Sequence, residues 1–352
     1  MKFLHDVARV VVLAAAVSCV SLVTTVVLMA LMAAASWFYY LKNFKEVTGS
    51  EDPTPPPRAP VFQLHEAVVM RQLVPPGEIN TTWADIGGCC EVLRHIREQV
   101  IYPLMYACSH RSEPLLMMPK GVLLHGPPGC GKTLIARAIA NEVQTNFLNI
   151  DVSTVKNMWV GETEKMAAAI FSVAYKIQPC IIFLDEVDTL LSTRNNVEGP
   201  ATTGLKAVFL QMWDGLQSDA TARVMVLAAT NRLEAVDEAF LRRLPLQFEV
   251  NKPSAEGRYA ILSIHLQEVT LAADVDLQMV VEMTDGFSGS DLQELCRCAA
   301  TRRLVEYMEQ LSASQSSSSG GLRPLTKEDF VLALDLHRLN AGNASPFNHF
   351  YL

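Results

Sequence analysis

No two of the eight cysteines (Cys19, Cys89, Cys90, Cys108, Cys130, Cys180, Cys296, Cys298) are spaced C-x-x-C. That absence excludes the common zinc-binding spacings, and the scatter fits no disulfide framework, so the thiols read as reduced and the protein as intracellular. No stripe of Lys and Arg interleaved with aromatics occurs, and the net charge is −8, which argues against nucleic acid as a partner. His65-Glu66 is not the start of a zinc protease motif, because Val69 stands where H-E-x-x-H needs its second His. Charge itself is missing from Val10 to Leu41.

That uncharged run exceeds the ~20 apolar residues a helix needs to cross hydrocarbon. Trp37, Phe38, Tyr39 and Tyr40 follow as an aromatic belt, with Lys42 and Lys45 beyond. A cleaved signal peptide ending near Ala33-Ala34-Ala35 is the alternative, but the apolar part runs well past the ~7–15 residues of such a region. The expectation is one transmembrane helix over residues 10–41 after a short tail (1–9), anchoring the chain to a lipid bilayer. Flanking charges nearly balance and do not set the orientation.

What is present is a phosphate-binding loop. Gly126-Pro127-Pro128-Gly129-Cys130-Gly131-Lys132-Thr133 fits G-x-x-x-x-G-K-[ST], between the apolar run Val122 to Leu124 and a helical stretch from Leu134 to Val143. Backbone N–H groups of such a loop converge on phosphates, Lys132 reaches the β and γ oxygens, Thr133 offers its hydroxyl to Mg²⁺, and Leu134 ends the nucleotide-binding stretch that begins at Gly126. Cys130 lies inside the loop, where a lowered thiol pKa would make it reactive to alkylating agents. Downstream, Ile181 to Leu184 is a continuous apolar run ending in Asp185-Glu186. Asp185 is placed to share the Mg²⁺ shell and Glu186 to orient and deprotonate a water. The implied cofactors are ATP and Mg²⁺, so the site faces a nucleotide-rich compartment such as the cytosol.

Organisation follows from these anchors. Residues 42–82 read as a linker, Pro-rich from Thr48 to Pro60, with an amphipathic or irregular approach near 61 to 80. Strand-like runs at Val122 to Leu124, Phe147 to Ile150, Ile181 to Leu184, Val224 to Ala228 and Phe248 to Val250 alternate with helical stretches. The fold class is therefore α/β, a doubly wound parallel sheet over residues 83–250. A helical lid domain is expected over 251–340, interrupted by the Ser-rich insert 312–321, with a tail at 341–352.

Trp83-Ala84-Asp85-Ile86-Gly87-Gly88, the phosphate loop, Asp185-Glu186, Ala229-Thr230-Asn231-Arg232, Leu241-Arg242-Arg243-Leu244-Pro245 and Asp285-Gly286-Phe287-Ser288-Gly289-Ser290-Asp291-Leu292 recur in an order that resembles the AAA ATPase module. Trp213-Asp214-Gly215-Leu216 and the N-terminal apolar segment make the chain similar to membrane-anchored AAA extractases. That family removes mislocalised tail-anchored proteins from the mitochondrial outer membrane and peroxisomes.

The resemblance implies specific roles. Asn231 would sense the γ-phosphate. Arg242 and Arg243 would act as arginine fingers on a neighbouring subunit, and Asp214 to Leu216 would signal between subunits. Ile86 and Gly87 would flank the adenine, and Gly289 and Ser290 would begin the lid helix near base and ribose, with Ser288 or Ser290 as its N-cap. Trp159 and Val160 would line the axial pore of a homo-oligomer, a hexamer, where an aromatic grips any extended polypeptide. Val160 departs from a second aromatic, Leu233 from a Pro, and Pro200 from an acidic residue, which bears on a second pore loop at 195–199. A membrane-linked remodeller similar to spastin and a nucleotide-locked membrane scaffold are the competing functions.

Overall fold

The computed structural model describes residues 64–109, 118–150, 162–190, 200–219, 221–313 and 322–342. The expected membrane segment 10–41, Trp159, Val160, residues 195–199, the Ser-rich insert from 314 and the tail from 343 lie outside the described residues. Among the described residues no helix is long and apolar enough to cross a membrane.

Five parallel strands form the sheet: β2 (Gly121–His125), β3 (Asn146–Ile150), β4 (Cys180–Leu184), β5 (Val224–Thr230) and β6 (Leu246–Glu249). A sixth, β1 (Leu73–Val74), pairs antiparallel with β3, and the strand order is β1-β3-β4-β5-β2-β6. The register sets Leu184 opposite Ala228 and His125 opposite Thr230, which brings the C-terminal tips of β4, β5 and β2 side by side. β6 begins earlier than the expected Phe248, directly after Pro245. Only Val250 falls outside it, and its N–H still bonds His125 O at 2.7 Å.

Every residue of β4 and β5 is buried, as a strand covered on both faces requires. Alternation distributes them. Ile182, Leu184, Val226 and Ala228 face one apolar layer, while Ile181, Phe183, Met225 and Leu227 face the other.

The first layer is closed by α1 (Leu64–Met70), α5 (Glu162–Lys176), the short α6 (Val187–Leu190), α7 (Pro200–Ser218) and α8 (Glu238–Leu241). There Phe171, Phe209, Trp213 and Phe240 stack in sequence, with Phe171 edge-on to Phe209 at 5.0 Å and Trp213 tilted on Phe240 at 6.3 Å. The buried carboxylate of Glu66 joins α1 to α5, accepting from Lys176 Nζ at 2.7 Å and Ser172 Oγ at 2.6 Å. The second layer is closed by α2 (Cys90–Ile96), a π turn (Arg97–Ile101) continuing into α3 (Tyr102–Ser109), and α4 (Lys132–Val143).

The lid has its own core of Leu262, Val281, Leu292, Leu295, Phe330 and Leu334. It comprises α9 (Ala255–Leu266), α10 (Leu277–Met283), α11 (Gly289–Ala313) and α12 (Lys327–Gly342). Helix starts are chemically marked: Ser254 Oγ accepts from Gly257 N and Asp276 from Gln278 N. Arg323 crosses from α11 to α12, forking Asp329 at 2.6 and 2.8 Å while binding Glu306 at 2.6 Å.

Candidate functional site

The phosphate loop joins β2 to α4. Gly131, at φ 88°, is the left-handed N-cap of α4, so the first N–H groups of that helix are left for an anion. Gly129 has φ 74°, and any Cβ there would overlap Ser290 Oγ and stand 2.8 Å from Ser288 Oγ. Lys132 is buried and donates from Nζ to Gly126 O at 2.8 Å and Pro127 O at 2.7 Å. Burial pulls its ammonium below the ordinary lysine range. Leu134, two residues further, is 42% exposed.

Thr133 Oγ1 donates to Asp185 Oδ2 at 2.7 Å, linking the loop to the tip of β4. A hydroxyl beside a carboxylate is a hard oxygen donor pair, which fits Mg²⁺. Glu186 follows with φ 51°, a costly conformation for a residue with a side chain, and its N–H bonds Asp185 Oδ1 at 2.9 Å. The strained backbone leaves Glu186 exposed at the strand tip. Asn231 follows β5, whose tip lies between those of β4 and β2, and is exposed. Thr230 beside it donates to Asp188 Oδ1 at 3.0 Å, a link between the two tips that the sequence analysis missed because neither residue type is diagnostic.

On the base side, Ile86 ends a 3₁₀ turn (Trp83–Asp85), with Thr82 and Asp85 bonded reciprocally across it. Gly87 lies tight against α9, where a Cβ would stand 2.6 Å from Ile261 N. Trp83 secures this strap. Its indole donates to Glu142 of α4, and the Arg97 guanidinium lies 5.3 Å over its ring. A cavity of about 790 Å³ borders Trp83, Ile86, Gly87 and Tyr259 but includes no phosphate-loop residue, so its size does not locate the chemistry.

Gly289 and Ser290 open α11 against the loop, with Ser290 N donating to Gly129 O at 3.1 Å. Ser288, not Ser290, is the cap: its N–H and hydroxyl bond Asp291 Oδ2 at 2.8 and 2.7 Å. The thiol of Cys130 departs from expectation. Burial raises its pKa, outweighing the pull of Lys132 and Lys252, so the loop does not activate it.

Arg242 and Arg243 are not part of this cluster. They follow α8 at the start of β6, and β6 is parallel to β2, so they lie at the end opposite the phosphate loop. Gly126 lies five residue steps along the chain from Gly121, about 17 Å at ~3.3 Å per step. Arg242 is exposed and pairs with Glu238 at 2.8 Å. Arg243 forks Asp214, with Nε to Oδ1 and Nη2 to Oδ2 both 2.7 Å, and holds Ala239 O through Nη1 at 2.6 Å. This pair holds the Asp214 carboxyl below its ordinary range, the hydrogen bonds leading. No local motif marks the meeting of these two segments, which lie 29 positions apart.

A glycine loop on a helix N-terminus, a Thr–Asp cation pair and an exposed Glu at the next strand tip define a P-loop nucleoside-triphosphatase site. Residues 122–252 match the family model "ATPase family associated with various cellular activities (AAA)", and 274–318 match "AAA+ lid domain". The chain is 42% identical over 271 residues to the Homo sapiens "Outer mitochondrial transmembrane helix translocase", covering 77% of this chain and 75% of the relative. It is 39% identical over 270 residues to the Caenorhabditis elegans "Mitochondrial sorting homolog", covering 77% of each. The solved "FIGL-1 AAA domain" superposes with TM-score 0.68 at 31% identity, over 82% of this chain and 96% of that one. The chain belongs to the AAA ATPase family, among the relatives of the outer mitochondrial transmembrane helix translocases, and is an ATPase.

Proposed function

We propose that this ATPase is a translocase anchored in the mitochondrial outer membrane, and in peroxisomes, with its AAA module in the cytosol. It draws mislocalised tail-anchored proteins out of the bilayer through the pore of a homohexamer. The relatives' name, transmembrane helix translocase of the outer mitochondrial membrane, supports a membrane-embedded client and that membrane, and the uncharged segment Val10 to Leu41 supports the anchor. The 42% identity over 271 residues to the translocases favours this reading over a spastin-like remodeller.

The observation that carries the ring is the position of Arg243. The phosphate loop and the Arg242–Arg243 turn occupy opposite ends of β2, further apart than an arginine side chain spans. In this reading Arg242 and Arg243 act on the nucleotide of a neighbouring copy, not on that of their own subunit.

Within one subunit the roles divide by chemistry. ATP and Mg²⁺, when bound, supply the scissile phosphoanhydride and the cation that withdraws charge from it. Lys132 and the α4 N–H groups neutralise phosphate charge, and Thr133 and Asp185 hold the cation. Glu186 orients a water and takes its proton, and Asn231 offers a polar contact at the terminal phosphate. Ile86 and Gly87 wall the base, while Gly289 and Ser290 relay closure to the lid. Trp159 and Val160 contact the client.

The test is release of a tail-anchored client from liposomes carrying the full-length chain. Release should require ATP and disappear with Glu186→Gln. ATP turnover without release, in vesicles where both proteins are inserted, would overturn the translocase reading.

A further inference from the structure

Arg243 is fixed at both ends by its own subunit. Its guanidinium is forked by Asp214 and held by Ala239 O, and its carbonyl accepts from Gln217 Nε2 at 3.4 Å. That same carbonyl passes directly over the Cα of Gly121, the first residue of β2. A Cβ at Gly121 would collide with Arg243 O and stand 3.1 Å from Arg243 C and 3.3 Å from Leu244 Cα.

Gly121 is not among the glycines with positive φ, so backbone conformation does not demand glycine there. Close approach does. Glycine at a strand position weakens the strand and marks a place where another backbone comes near. The approaching turn cannot retreat inward, because Phe240 and Leu244 on either side of it are fully buried. Any side chain at position 121 therefore pushes the Arg242–Arg243 turn outward.

We infer that Gly121 is a positioning residue for Arg243. It seats the turn on the base of β2 and so fixes where Arg242 and Arg243 stand at the subunit's surface. This rests on the proposed action of Arg243 on a neighbouring subunit. Gly121 touches neither nucleotide nor client, and it lies at the far end of β2 from its own phosphate loop. Its effect should appear in the neighbour's turnover while its own nucleotide binding stays intact.

The experiment uses full-length Gly121→Ala alone and in rings mixed with Lys132→Ala. Alone, Gly121→Ala should keep nucleotide affinity within about twofold and lose ~10- to 100-fold in turnover, the scale of an ångström-sized misplacement. In mixed rings its intact ATP site receives a correctly seated Arg243 from a Lys132→Ala neighbour, so turnover should rise about tenfold above either variant alone. Arg243→Ala mixed with Lys132→Ala is the reference. If that reference mixture does not recover, the trans reading of Arg243 falls. If it recovers while the Gly121→Ala mixture does not, or if Gly121→Ala loses nucleotide binding, Gly121 acts on its own site and the inference is overturned. Should Gly121→Ala fail to fold, Gln217→Ala removes the donor to the same carbonyl without touching the sheet. A several-fold loss recovered by Lys132→Ala subunits supports the seat, and parent-level turnover overturns it.

Discussion

Ser290 donates its backbone N–H to the carbonyl of Gly129 at 3.1 Å, so the first turn of the longest lid helix is bonded to the phosphate loop. Lid and loop meet where only a glycine fits, at φ 74° and against two serine hydroxyls. Gly129→Ala should strain the loop by ~1–3 kcal/mol and part it from α11, weakening nucleotide affinity about tenfold or more. Titration with a fluorescent nucleotide measures this. Affinity equal to the parent would show that the lid contact is dispensable for binding.

Glu186 and Lys132 should fail in different ways. Glu186→Gln keeps the Thr133–Asp185 pair and the loop, so it should bind ATP normally and lose ~10²–10⁴-fold in turnover. Lys132→Ala should lose affinity first. Equilibrium binding and single-turnover hydrolysis on both variants separate the two, and a Gln variant that turns over at the parent rate would remove Glu186 from the role of base.

Cys130 should be slow to alkylate at neutral pH despite its place in the loop, because burial raises its pKa. The rate of iodoacetamide labelling should climb with pH past the ordinary thiol range and fall when ATP is added. Rapid labelling at pH 7, located by peptide mapping, would contradict the buried placement.

Asp329 gives the lid an acid limit. The Arg323 fork, aided by the Thr326 N–H and hydroxyl, lowers its pKa from 3.8 to about 2. A depressed carboxylate stabilises the fold fully above its unfolded pKa, and that contribution is lost as pH falls from near 3.8 through 2. Asp329→Asn should destabilise the lid by roughly 2 kcal/mol at pH 7 and flatten the pH dependence of melting in that window. Melting curves with the same acid slope in parent and variant would assign the slope to other groups.

Trp159 should separate hydrolysis from mechanical work. If Trp159 holds the proposed pore-loop role, Trp159→Ala should keep basal ATPase and lose extraction, while Trp159→Tyr keeps part of it. A core tryptophan would instead leave a cavity costing ~3–5 kcal/mol. Melting, turnover and extraction measured on one preparation decide, and loss of all three together would sink the pore-loop role.

The centre of the sheet was legible because β2, β4 and β5 are near-continuous apolar runs, a pattern that burial on both faces imposes. The phosphate loop and Asp185-Glu186 were legible because local spacing sets their chemistry. What escaped the sequence depends on partners distant along the chain. β1 is two residues long and becomes a strand only by pairing with the edge of β3. The Arg243–Asp214 fork spans 29 positions. The Cys130 shift reverses the sequence expectation because the packing around the thiol, invisible in a motif, outweighs the nearby lysines.

β1 and α1 also bear on solubility. Without residues 64–74, β3 would present a free row of N–H and C=O groups, and Ser172 and Lys176 of α5 would lose the carboxylate that accepts from them. A fragment beginning at Trp83 retains the whole phosphate site but opens that edge to strand addition by other molecules. Such a fragment should aggregate through β3, whereas one beginning at Phe62 keeps its edge covered.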